Sequence, residues 1–302
     1  MGEILDCLVI GGGPAGLTAA LYLGRFRRSV TVIDKGWSRA EWITLSHNLP
    51  GFPEGLSGPD LLDKLRDQAR RYGARLHHGV VETLTHGPDG LFTAQTAGAT
   101  LQARTVILAT GVVENKPPLA HLADAVKSGL VRTCPICDGY ESQGKRIAVL
   151  GAGEHAASEA LFLRTYSDQL TLLLPSGAPP LAPKTQQALA LARIAVDHLV
   201  IGSVVLDEHG VTAVIAEDGR SLTFDVVYSA FGTSPQTALA QTLGVMIDAP
   251  GRLYVTEHQE TSMEGLFAAG DLVRGLNQVS VAEGEAAIAA TAAHNYLRRV
   301  AL

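Results

Sequence analysis

Two cysteines three positions apart, Cys134 and Cys137 in the stretch TCPICDGYE, have a spacing that directly suggests chemistry. A Cys-x-x-Cys pair can be a redox disulfide, half of a metal site or an inert pair. A zinc site needs about four ligands, but the third cysteine, Cys7, lies in a separate apolar run and no histidine lies at ligand spacing. Asp138 places an acid/base directly beside Cys137, and disulfide exchange needs a group that protonates a leaving thiolate. The residues therefore favour a redox pair.

A glycine-rich loop, Gly11-x-Gly13-x-x-Gly16, joins an apolar run that predicts a buried strand over Ile4–Ile10 to a helix-like run. In such a loop the glycines allow a tight turn, close approach to a pyrophosphate and close packing of helix on strand. The phosphates then sit on unpaired N–H groups at the helix N-terminus. Asp34 ends the next apolar run, SVTVID, near the spacing expected of a carboxylate that accepts from a ribose hydroxyl. The alternative is a glycine turn without a ligand, but strand, helix and acid together favour a dinucleotide site.

The same layout returns later in the chain, where RIAVLGAGEHAASEALFLRTYSDQLTLLLP aligns without a gap on the first unit. Gly151 falls on Gly11 and Gly153 on Gly13, and Ala156 takes the third glycine position. One such loop is weak evidence, whereas two in register, each between a strand and a helix, predict two dinucleotide-type domains.

The second loop lacks the usual determinants of a nicotinamide nucleotide. The equivalent of Asp34 is Leu174, followed by Pro175, and the segment PSGAPPLAP contains no arginine that could bind a 2′-phosphate. Glu154 and His155 also occupy the loop, and a carboxylate directed at a pyrophosphate would repel it, although a helix N-terminus tolerates a capping Glu. The site is empty, loosely used, or used by another ligand.

The predicted fold class is α/β, with two Rossmann-like dinucleotide-binding domains, the first of which is discontinuous. Strand-to-glycine patterns recur in TVILATG, VVYSAFGTSP and GLFAAGD, and an alanine-rich run ending in NYLRR predicts a last helix. The segment NKPPLA, with Pro117 and Pro118, predicts a linker. We expect the first domain to comprise 1–115 and 243–302, with the second, 116–242, inserted into it.

Composition limits the function classes. A net charge of −6 gives no basic surface for nucleic acid or anionic membranes. No apolar run reaches the roughly 18 residues that span a bilayer, and the first residues match neither a signal peptide nor a myristoylation signal. Three cysteines do not make a disulfide framework, so we expect a cytoplasmic protein. The histidines form no cluster, and no metal site is predicted.

Several motifs together resemble the low-molecular-weight thioredoxin reductases, and the resemblance covers essentially the whole chain. They occur in order as GGGPAG, HNLPGFPEGLSGPDLLDKL, VILATG, TCPICDGYE and GLFAAGD. A Cys-x-x-Cys-Asp-Gly inside the second nucleotide domain is the most specific of them.

The resemblance implies FAD in the first domain. It assigns the pyrophosphate and ribose to Gly11, Gly13, Pro14, Ala15, Gly16 and Asp34. It assigns the flavin site to Asn48, Thr110 and Gly111, the adenine to Val81, the ribityl chain to Gly270 and Asp271, and the isoalloxazine to Gln278 and Val279. It also implies that Cys134 and Cys137 cycle between disulfide and dithiol, with Cys137 nearer the flavin and Asp138 as proton donor or acceptor.

Three departures separate this sequence from the family's pattern. The His-Arg-Arg run that selects NADPH is replaced by LLLPSGAPP. A Gly-Gly-Gln stretch is replaced by GWSRAEW, which introduces Trp37 and Trp42, and an Arg-Gln-Ala stretch reads Asn277-Gln278-Val279. The pattern is therefore more similar to branches without nicotinamide determinants, among them ferredoxin-linked and flavin-linked disulfide oxidoreductases and the dithiol oxidases of natural-product pathways.

We therefore expect an FAD-dependent dithiol–disulfide oxidoreductase, homodimeric, acting on a thioredoxin-like protein or a small-molecule disulfide. The expected electron donor is a reduced iron–sulfur protein such as ferredoxin, a second flavin or nucleotide in the inserted domain, or weakly held NADH or NADPH. Two alternatives remain open. One is a dithiol oxidase that forms disulfides in a small molecule with oxygen, and the other is a non-catalytic flavin-binding protein.

Overall fold

The computed structural model describes residues 3–116, 122–199, 205–207, 210–214, 219–273 and 276–300. The chain divides into two compact units. The first comprises Met1–Leu45, Leu49–Val113 and Ser234–Leu302, and the second comprises Ser46–Asn48 and Glu114–Thr233. The predicted linker prolines, Pro117 and Pro118, lie outside the described residues.

The predicted fold class, α/β with two Rossmann-like folds and an interrupted first domain, is confirmed. The bounds of the compact units are not those of the predicted domains: Ser46–Asn48 and residues 114–115 lie in the second unit, and residues 234–242 lie in the first. Ala240 of that last segment is buried in the core of the first unit with Val245 and Leu253, and this apolar burial explains its place there.

The described secondary structure is as follows. The strands are β1 (Ile4–Ile10), β2 (Val30–Asp34), β3 (Arg75–His78), β4 (Val81–His86), β5 (Phe92–Thr96), β6 (Thr100–Leu108), β7 (Val112–Glu114), β8 (Val131–Arg132), β9 (Ile147–Gly151), β10 (Leu170–Pro175), β11 (Ala195–Leu199), β12 (Val205–Asp207), β13 (Gly210–Val214), β14 (Ser221–Phe224), β15 (Val226–Ala230), β16 (Thr233–Pro235) and β17 (Leu266–Ala268). The helices are α1 (Pro14–Arg25), α2 (Gly58–Arg71), α3 (Leu122–Lys127), α4 (Pro135–Asp138), α5 (Gly153–Leu163), α6 (Pro183–Leu191), α7 (Ala238–Thr242) and α8 (Val279–Arg299).

A sheet of seven strands forms the centre of the first unit, in the order β3-β2-β1-β6-β5-β4, with β17 also paired to β6. Strand β1 is central, with Val9 in register between Val32 and Ile107 of its two parallel neighbours. Its last four residues, Cys7 to Ile10, are all buried, as expected of a parallel strand covered on both faces. The switch to helix at the end of β1 therefore occurs inside the core.

Helices α1 and α8 pack together in the first unit through small side chains. Ala15 and Ala19 of α1 share one buried core with Ala286 and Ala290 of α8. Alanine lets two helices approach closely, and close approach brings the first turns of both helices toward the same end of the sheet. The ends of these helices are where the candidate site residues of the first unit lie.

The second unit repeats this arrangement around a five-stranded sheet in the order β11-β10-β9-β15-β8. Strands β9 and β15 are buried along their whole length, and α5 follows β9 as α1 follows β1. A separate antiparallel sheet, β12-β13-β14, precedes β15 in the chain. Across the residues that the structure describes, every helix is too short or too polar to cross a lipid bilayer.

Candidate redox site and dinucleotide-binding folds

Cys134 directly precedes α4, a single helical turn ahead of β9, and Cys137 lies within that turn. A disulfide joins the two cysteines. The amide of Cys137 donates to the carbonyl oxygen of Cys134 at 3.0 Å, so the turn that spaces the two sulfurs is itself hydrogen-bonded. Gly139 directly follows α4. A larger residue does not fit at this position, because its Cβ would lie 2.6 Å from the ring of Tyr166. The two cysteines of the predicted redox pair are thus bonded to each other in the structure.

The third cysteine lies apart from this pair. Cys7 is fully buried in β1, and burial raises the pKa of its thiol to about 12. Cys7 is therefore a thiol of low reactivity at neutral pH. Among the described residues, no three His, Cys, Asp or Glu side chains gather into a cluster that could hold a metal ion.

The carboxyl group of Asp138 is held between two side chains of the second unit. Its Oδ1 accepts a hydrogen bond from the Tyr228 hydroxyl at 2.8 Å, and its Oδ2 lies 3.7 Å from Nη1 of Arg132. Burial raises the pKa of the Asp138 carboxyl, and the charge of Arg132 and the Tyr228 hydrogen bond offset that rise only in part. A carboxyl with a raised pKa keeps its proton closer to neutral pH, as an acid/base beside a thiol requires.

Sequence reasoning missed the three residues that hold Asp138, namely Arg132, Ser142 and Tyr228. Arg132 donates to the backbone oxygen of Asp138 at 2.8 Å, and the hydroxyls of Ser142 and Tyr228 lie 2.9 Å apart. A signal was present for Tyr228, because a tyrosine inside the apolar strand VVYSA needs a buried hydrogen-bond partner. The identity of that partner was not readable from the sequence.

The first glycine turn is built on close backbone contacts. A Cβ on Gly11 would lie 2.3 Å from the carbonyl oxygen of Ala109, and one on Gly16 would lie 1.8 Å from the oxygen of Gly11. Gly13 precedes α1 and offers no side chain to cap it. The N–H groups of the first turn of α1 can therefore donate to an anion.

Asp34 lies directly beside this turn. A Cβ on Gly12 would lie 2.5 Å from the carboxyl carbon of Asp34, so the missing side chain at Gly12 makes room for the carboxylate. The amide of Gly11 donates a hydrogen bond to the carbonyl oxygen of Ile33 at 2.9 Å. This bond fixes the turn to the end of β2. The predicted loop and the predicted carboxylate are therefore adjacent in the first unit.

Gly270 lies against the first turn of α1, and Asp271 follows it in the chain. A Cβ on Gly270 would lie 2.9 Å from the Cβ of Ala15, and the Gly270 amide donates to Oε2 of Glu285 at 2.8 Å. The Asp271 carboxylate lies 3.3 Å from Nη1 of Arg39. Burial raises the pKa of Asp271, and the charge of Arg39 is the largest influence that lowers it.

Three charged residues that contact Gly270 or Asp271 were not identified from the sequence, although the sequence context of two of them gave an indication. Glu285 sits on α8 among the buried alanines, so a charged residue there interrupts an apolar helical face. Arg39 falls in GWSRAEW, already noted as unusual. Arg252 donates to the Asp271 carbonyl oxygen at 3.1 Å and to Oδ1 of Asn277 at 2.8 Å, and nothing in its sequence context indicated either contact.

Four predicted flavin-site residues lie at the ends of elements of the first unit. Gln278 precedes the first residue of α8, Val279, and does not cap that helix with its side chain. Thr110 and Gly111 follow β6, and the Thr110 hydroxyl donates to the Gln236 carbonyl oxygen at 2.7 Å. The helix N-terminus and the loop after β6 both offer backbone polar groups.

Val81, predicted for the adenine, and Asn48, predicted for the flavin, lie in different environments. Val81 begins β4 and is buried in the apolar core together with Ile33. Asn48 belongs to the second unit, where its amide donates to the carbonyl oxygen of Ile136, between the two cysteines, at 3.3 Å. Asn48 thus contacts the backbone of α4.

The second glycine loop shares one close backbone contact with the first. A Cβ on Gly151 would lie 2.3 Å from the carbonyl oxygen of Ala230, the same clearance that Gly11 has from Ala109. Gly153 starts α5 with φ +66°, and Ala156 is fully buried against the turn. The repeat seen in the sequence therefore extends to backbone contacts.

The surroundings of the second loop differ from those of the first. Leu174, at the position equivalent to Asp34, is buried near the end of β10. The carboxylate of Glu154 accepts from the Ala182 amide at 2.9 Å and from the Thr185 hydroxyl, and the Ala182 bond is the main cause that lowers the pKa of Glu154. Glu154 therefore ties the first turn of α5 to the start of α6.

His155 forms an ion pair that the sequence analysis missed. Its Nε2 lies 3.2 Å from Oε1 of Glu159, one helical turn further along α5, and this hydrogen bond raises the pKa of His155. The other oxygen of Glu159 is buried and has no hydrogen-bond partner in the described part of the chain. The i to i+4 spacing was the available signal. Glu154, His155 and Glu159 thus give this loop a polar composition unlike the first.

Comparisons with known proteins match the chain along nearly its whole length. The family model for pyridine nucleotide-disulphide oxidoreductases matches residues 5–286. The thioredoxin reductase of Listeria innocua is 30% identical over 310 residues, covering 99% of this chain and 95% of the relative. An NADPH-dependent thioredoxin reductase 3 of Arabidopsis thaliana is 32% identical, covering 98% of this chain and 59% of the relative.

The fold is also that of solved structures. The thioredoxin reductase of Streptococcus pyogenes superposes with a TM-score of 0.88 at 27% identity, covering 99% of this chain and 100% of the other. The similarity in sequence and the similarity in fold therefore extend across both units.

Glu154→Ala should release the start of α6 from the first turn of α5, because it removes the acceptor of the Ala182 amide. We expect amide hydrogen exchange at Ala182 to become at least about tenfold faster, as for a backbone amide that loses its only local protection. Thr185→Val is the matched control, since it removes the hydroxyl bond to Glu154 and leaves the amide bond in place. Equal exchange at Ala182 in Glu154→Ala and in the unaltered protein would contradict the described contact.

Proposed function

The chain belongs to the pyridine nucleotide-disulphide oxidoreductase family, as a thioredoxin reductase-like flavin-dependent disulfide oxidoreductase, and we propose that it passes electron pairs between FAD and the Cys134–Cys137 pair. The pair then exchanges with the disulfide of a thioredoxin-like protein or of a small molecule. The observation that carries the proposal is the Cys134–Cys137 disulfide, followed directly in the chain by Asp138, whose carboxyl accepts a hydrogen bond from Tyr228. A cysteine pair followed by a half-buried acid/base is suited to thiol–disulfide exchange.

Homologous thioredoxin reductases use FAD, and the first unit has features that suit a dinucleotide. The glycine turn excludes side chains where a pyrophosphate would approach, and two helices present uncapped N-termini. We propose that FAD is held in the first unit by Gly11, Gly13, Pro14, Ala15, Gly16, Asp34, Val81, Thr110, Gly111, Gly270, Asp271, Gln278 and Val279.

FAD, when bound, supplies an isoalloxazine ring that takes up or gives an electron pair. The cysteine pair holds the same two electrons as two thiols, and opening the disulfide also takes up two protons. Asp138 directly follows Cys137 in the chain, so we assign to its carboxyl the proton that a leaving thiolate requires. Burial of the carboxyl raises its pKa, which keeps the proton available closer to neutral pH.

The proposed electron donor is not NADPH bound in the usual way of the family. Leu174 and Pro175 end β10 where a ribose-binding acid would stand, and the Glu154 carboxylate is engaged at the start of α6. No arginine follows in 176–182 to bind a 2′-phosphate. We propose a reduced iron–sulfur protein, a second flavin or nucleotide in the second unit at Gly151, Gly153, Glu154, His155 and Ala156, or weakly held NADH or NADPH.

We also propose a homodimer located in the cytoplasm. Exposed apolar side chains lie on two neighbouring helices of the first unit, Tyr22 on α1 and Ile288 on α8, and such a surface suits a twofold contact with a second copy. Sedimentation equilibrium should give twice the chain mass for the intact protein. A monomer that persists at micromolar concentration would contradict the dimer, and cell fractionation tests the location.

An anaerobic titration distinguishes the donors. We expect a stoichiometric amount of NADPH to leave the flavin absorbance of the purified protein unchanged over seconds, because the second loop lacks the groups that bind its 2′-phosphate. Reduced ferredoxin should bleach the same absorbance. The NADPH-dependent relative from Arabidopsis serves as the positive control for the NADPH stock and the anaerobic conditions.

Two results would overturn parts of this proposal. Rapid bleaching by stoichiometric NADPH would contradict the donor assignment and leave the flavin–disulfide assignment standing. Purified protein without flavin, or a Cys137→Ser variant with full disulfide reductase activity, would contradict the function itself.

A further inference from the structure

We propose that Tyr228 is a positioning residue for Asp138, whose hydroxyl holds the carboxyl group in place and stays hydrogen-bonded to it in both protonation states. This inference rests on the proposed function, in which Asp138 protonates a leaving thiolate. Tyr228 comes from the strand β15, far from the cysteine pair in the chain. None of the motifs that mark the redox pair includes it.

The Tyr228 hydroxyl lies at the centre of three polar groups. It is 2.8 Å from Oδ1 of Asp138 and 3.1 Å from the backbone oxygen of the same residue. It is also 2.9 Å from Oγ of Ser142, and either hydroxyl can donate in that pair. A phenol has one proton to donate and an oxygen that can accept, so it cannot satisfy all three contacts as a donor.

This arrangement gives the hydroxyl a partner in each state of the carboxyl. When Asp138 is ionised, Tyr228 donates to Oδ1 and accepts from Ser142. When Asp138 is protonated, the carboxyl can donate to Tyr228, whose own proton turns to Ser142 or to the Asp138 backbone oxygen. Both Tyr228 and Ser142 are fully buried, so the Tyr228 hydroxyl keeps a protein partner in either state and the carboxyl keeps one orientation.

The backbone position of Tyr228 is rigidly set. Strand β15 is buried along its length and pairs in parallel with β9, with Tyr228 opposite Val149, and with β8, with Tyr228 opposite Arg132. The same pairing that places the hydroxyl therefore places the guanidinium on the other side of Asp138. Two adjacent strands thus fix both ends of the carboxyl group.

The charged groups that face Asp138 act in opposite directions. Arg132 and the hydrogen bond from Tyr228 lower the pKa of the carboxyl, whereas burial and the nearby Glu141 raise it, and burial has the largest effect. Removing the Tyr228 hydroxyl takes away a bond that favours the carboxylate. The pKa of Asp138 should therefore rise further in its absence.

The chemical step served by this arrangement is a thiol–disulfide exchange. One thiolate of the reduced pair attacks R–S–S–R, a new S–S bond forms, the old one breaks, and Asp138 gives its proton to the leaving R–S⁻. The second cysteine attacks the mixed disulfide, which closes Cys134–Cys137 and releases a second thiolate. The dithiol loses two electrons and two protons and R–S–S–R gains them, while Asp138, whose side chain is 27% exposed, is reprotonated from water.

The test uses the holoprotein reduced anaerobically with dithionite and then mixed with one of two disulfides in a single turnover. Hydroxyethyl disulfide has a basic leaving thiol, and dithiobis(nitrobenzoate) has an acidic one that needs no proton. Asp138→Asn should slow the first reaction roughly hundredfold and leave the second close to that of the unaltered protein. The inflection that Asp138→Asn removes from the rate–pH profile identifies the ionisation of Asp138.

In Tyr228→Phe we expect this inflection at higher pH, because the ring and its packing remain while the bond that favours the carboxylate is lost. Arg132→Gln should move it in the same direction through the lost charge, and it provides a second variant of the same network. Tyr166→Phe is the matched control, since its ring packs against Gly139 and its hydroxyl is not bonded to Asp138. It should keep the profile of the unaltered protein.

The outcomes separate the two levels of the proposal. Reduced protein that reacts with neither disulfide would contradict the proposed function. The inference itself is overturned by a different result. In that result the reduced protein reacts, but the Tyr228→Phe variant keeps the inflection of the unaltered protein and loses rate equally with both disulfides. Tyr228 would then have only a structural role.

Discussion

At two places in this protein the backbone of a strand end approaches a neighbouring strand so closely that no side chain fits between them. A Cβ on Gly11 or on Gly151 would lie 2.3 Å from a carbonyl oxygen, that of Ala109 or of Ala230. Each contact requires glycine, turns the chain directly from strand to helix, and aims the N–H groups of that helix away from the sheet. The turn from strand to helix in both units depends on this constraint.

The two turns share this close approach of a glycine to a neighbouring strand, but their backbone dihedrals differ at the second glycine, with φ +66° at Gly153 and −78° at Gly13, and so do their surroundings. Asp34 lies beside the first turn in the space left by Gly12, whereas the equivalent Leu174 is buried in the core of the second unit. Glu154 binds the start of α6. The second unit instead carries the disulfide and the acid that is held by Arg132 and Tyr228. The repeated fold thus carries a carboxylate beside the glycine turn in one copy and a disulfide followed by an acid in the other.

Much of the fold was readable from the sequence because it depends on local patterns. The apolar run at Ile4–Ile10 forms β1 with those bounds, and the two glycine turns occur where predicted. The long-range contacts were not readable, since Tyr228 meets Asp138 only after β15 pairs with β8 and β9. The packing of residues 234–242 in the first unit was not readable for the same reason, as only tertiary packing buries Ala240 in that core. Residue types and spacing thus indicated the chemistry, while the partners that tune it depend on the assembled sheets.

We propose that flavin and the Cys134–Cys137 disulfide exchange electron pairs. An electron count on the purified holoprotein tests this exchange most directly. Anaerobic photoreduction should take up two electrons for the flavin and two for the disulfide in each chain, with two new thiols detectable by alkylation and mass spectrometry at Cys134 and Cys137. The Cys137→Ser variant should take up only the flavin's two electrons. Full flavin reduction with the disulfide left intact would contradict the account.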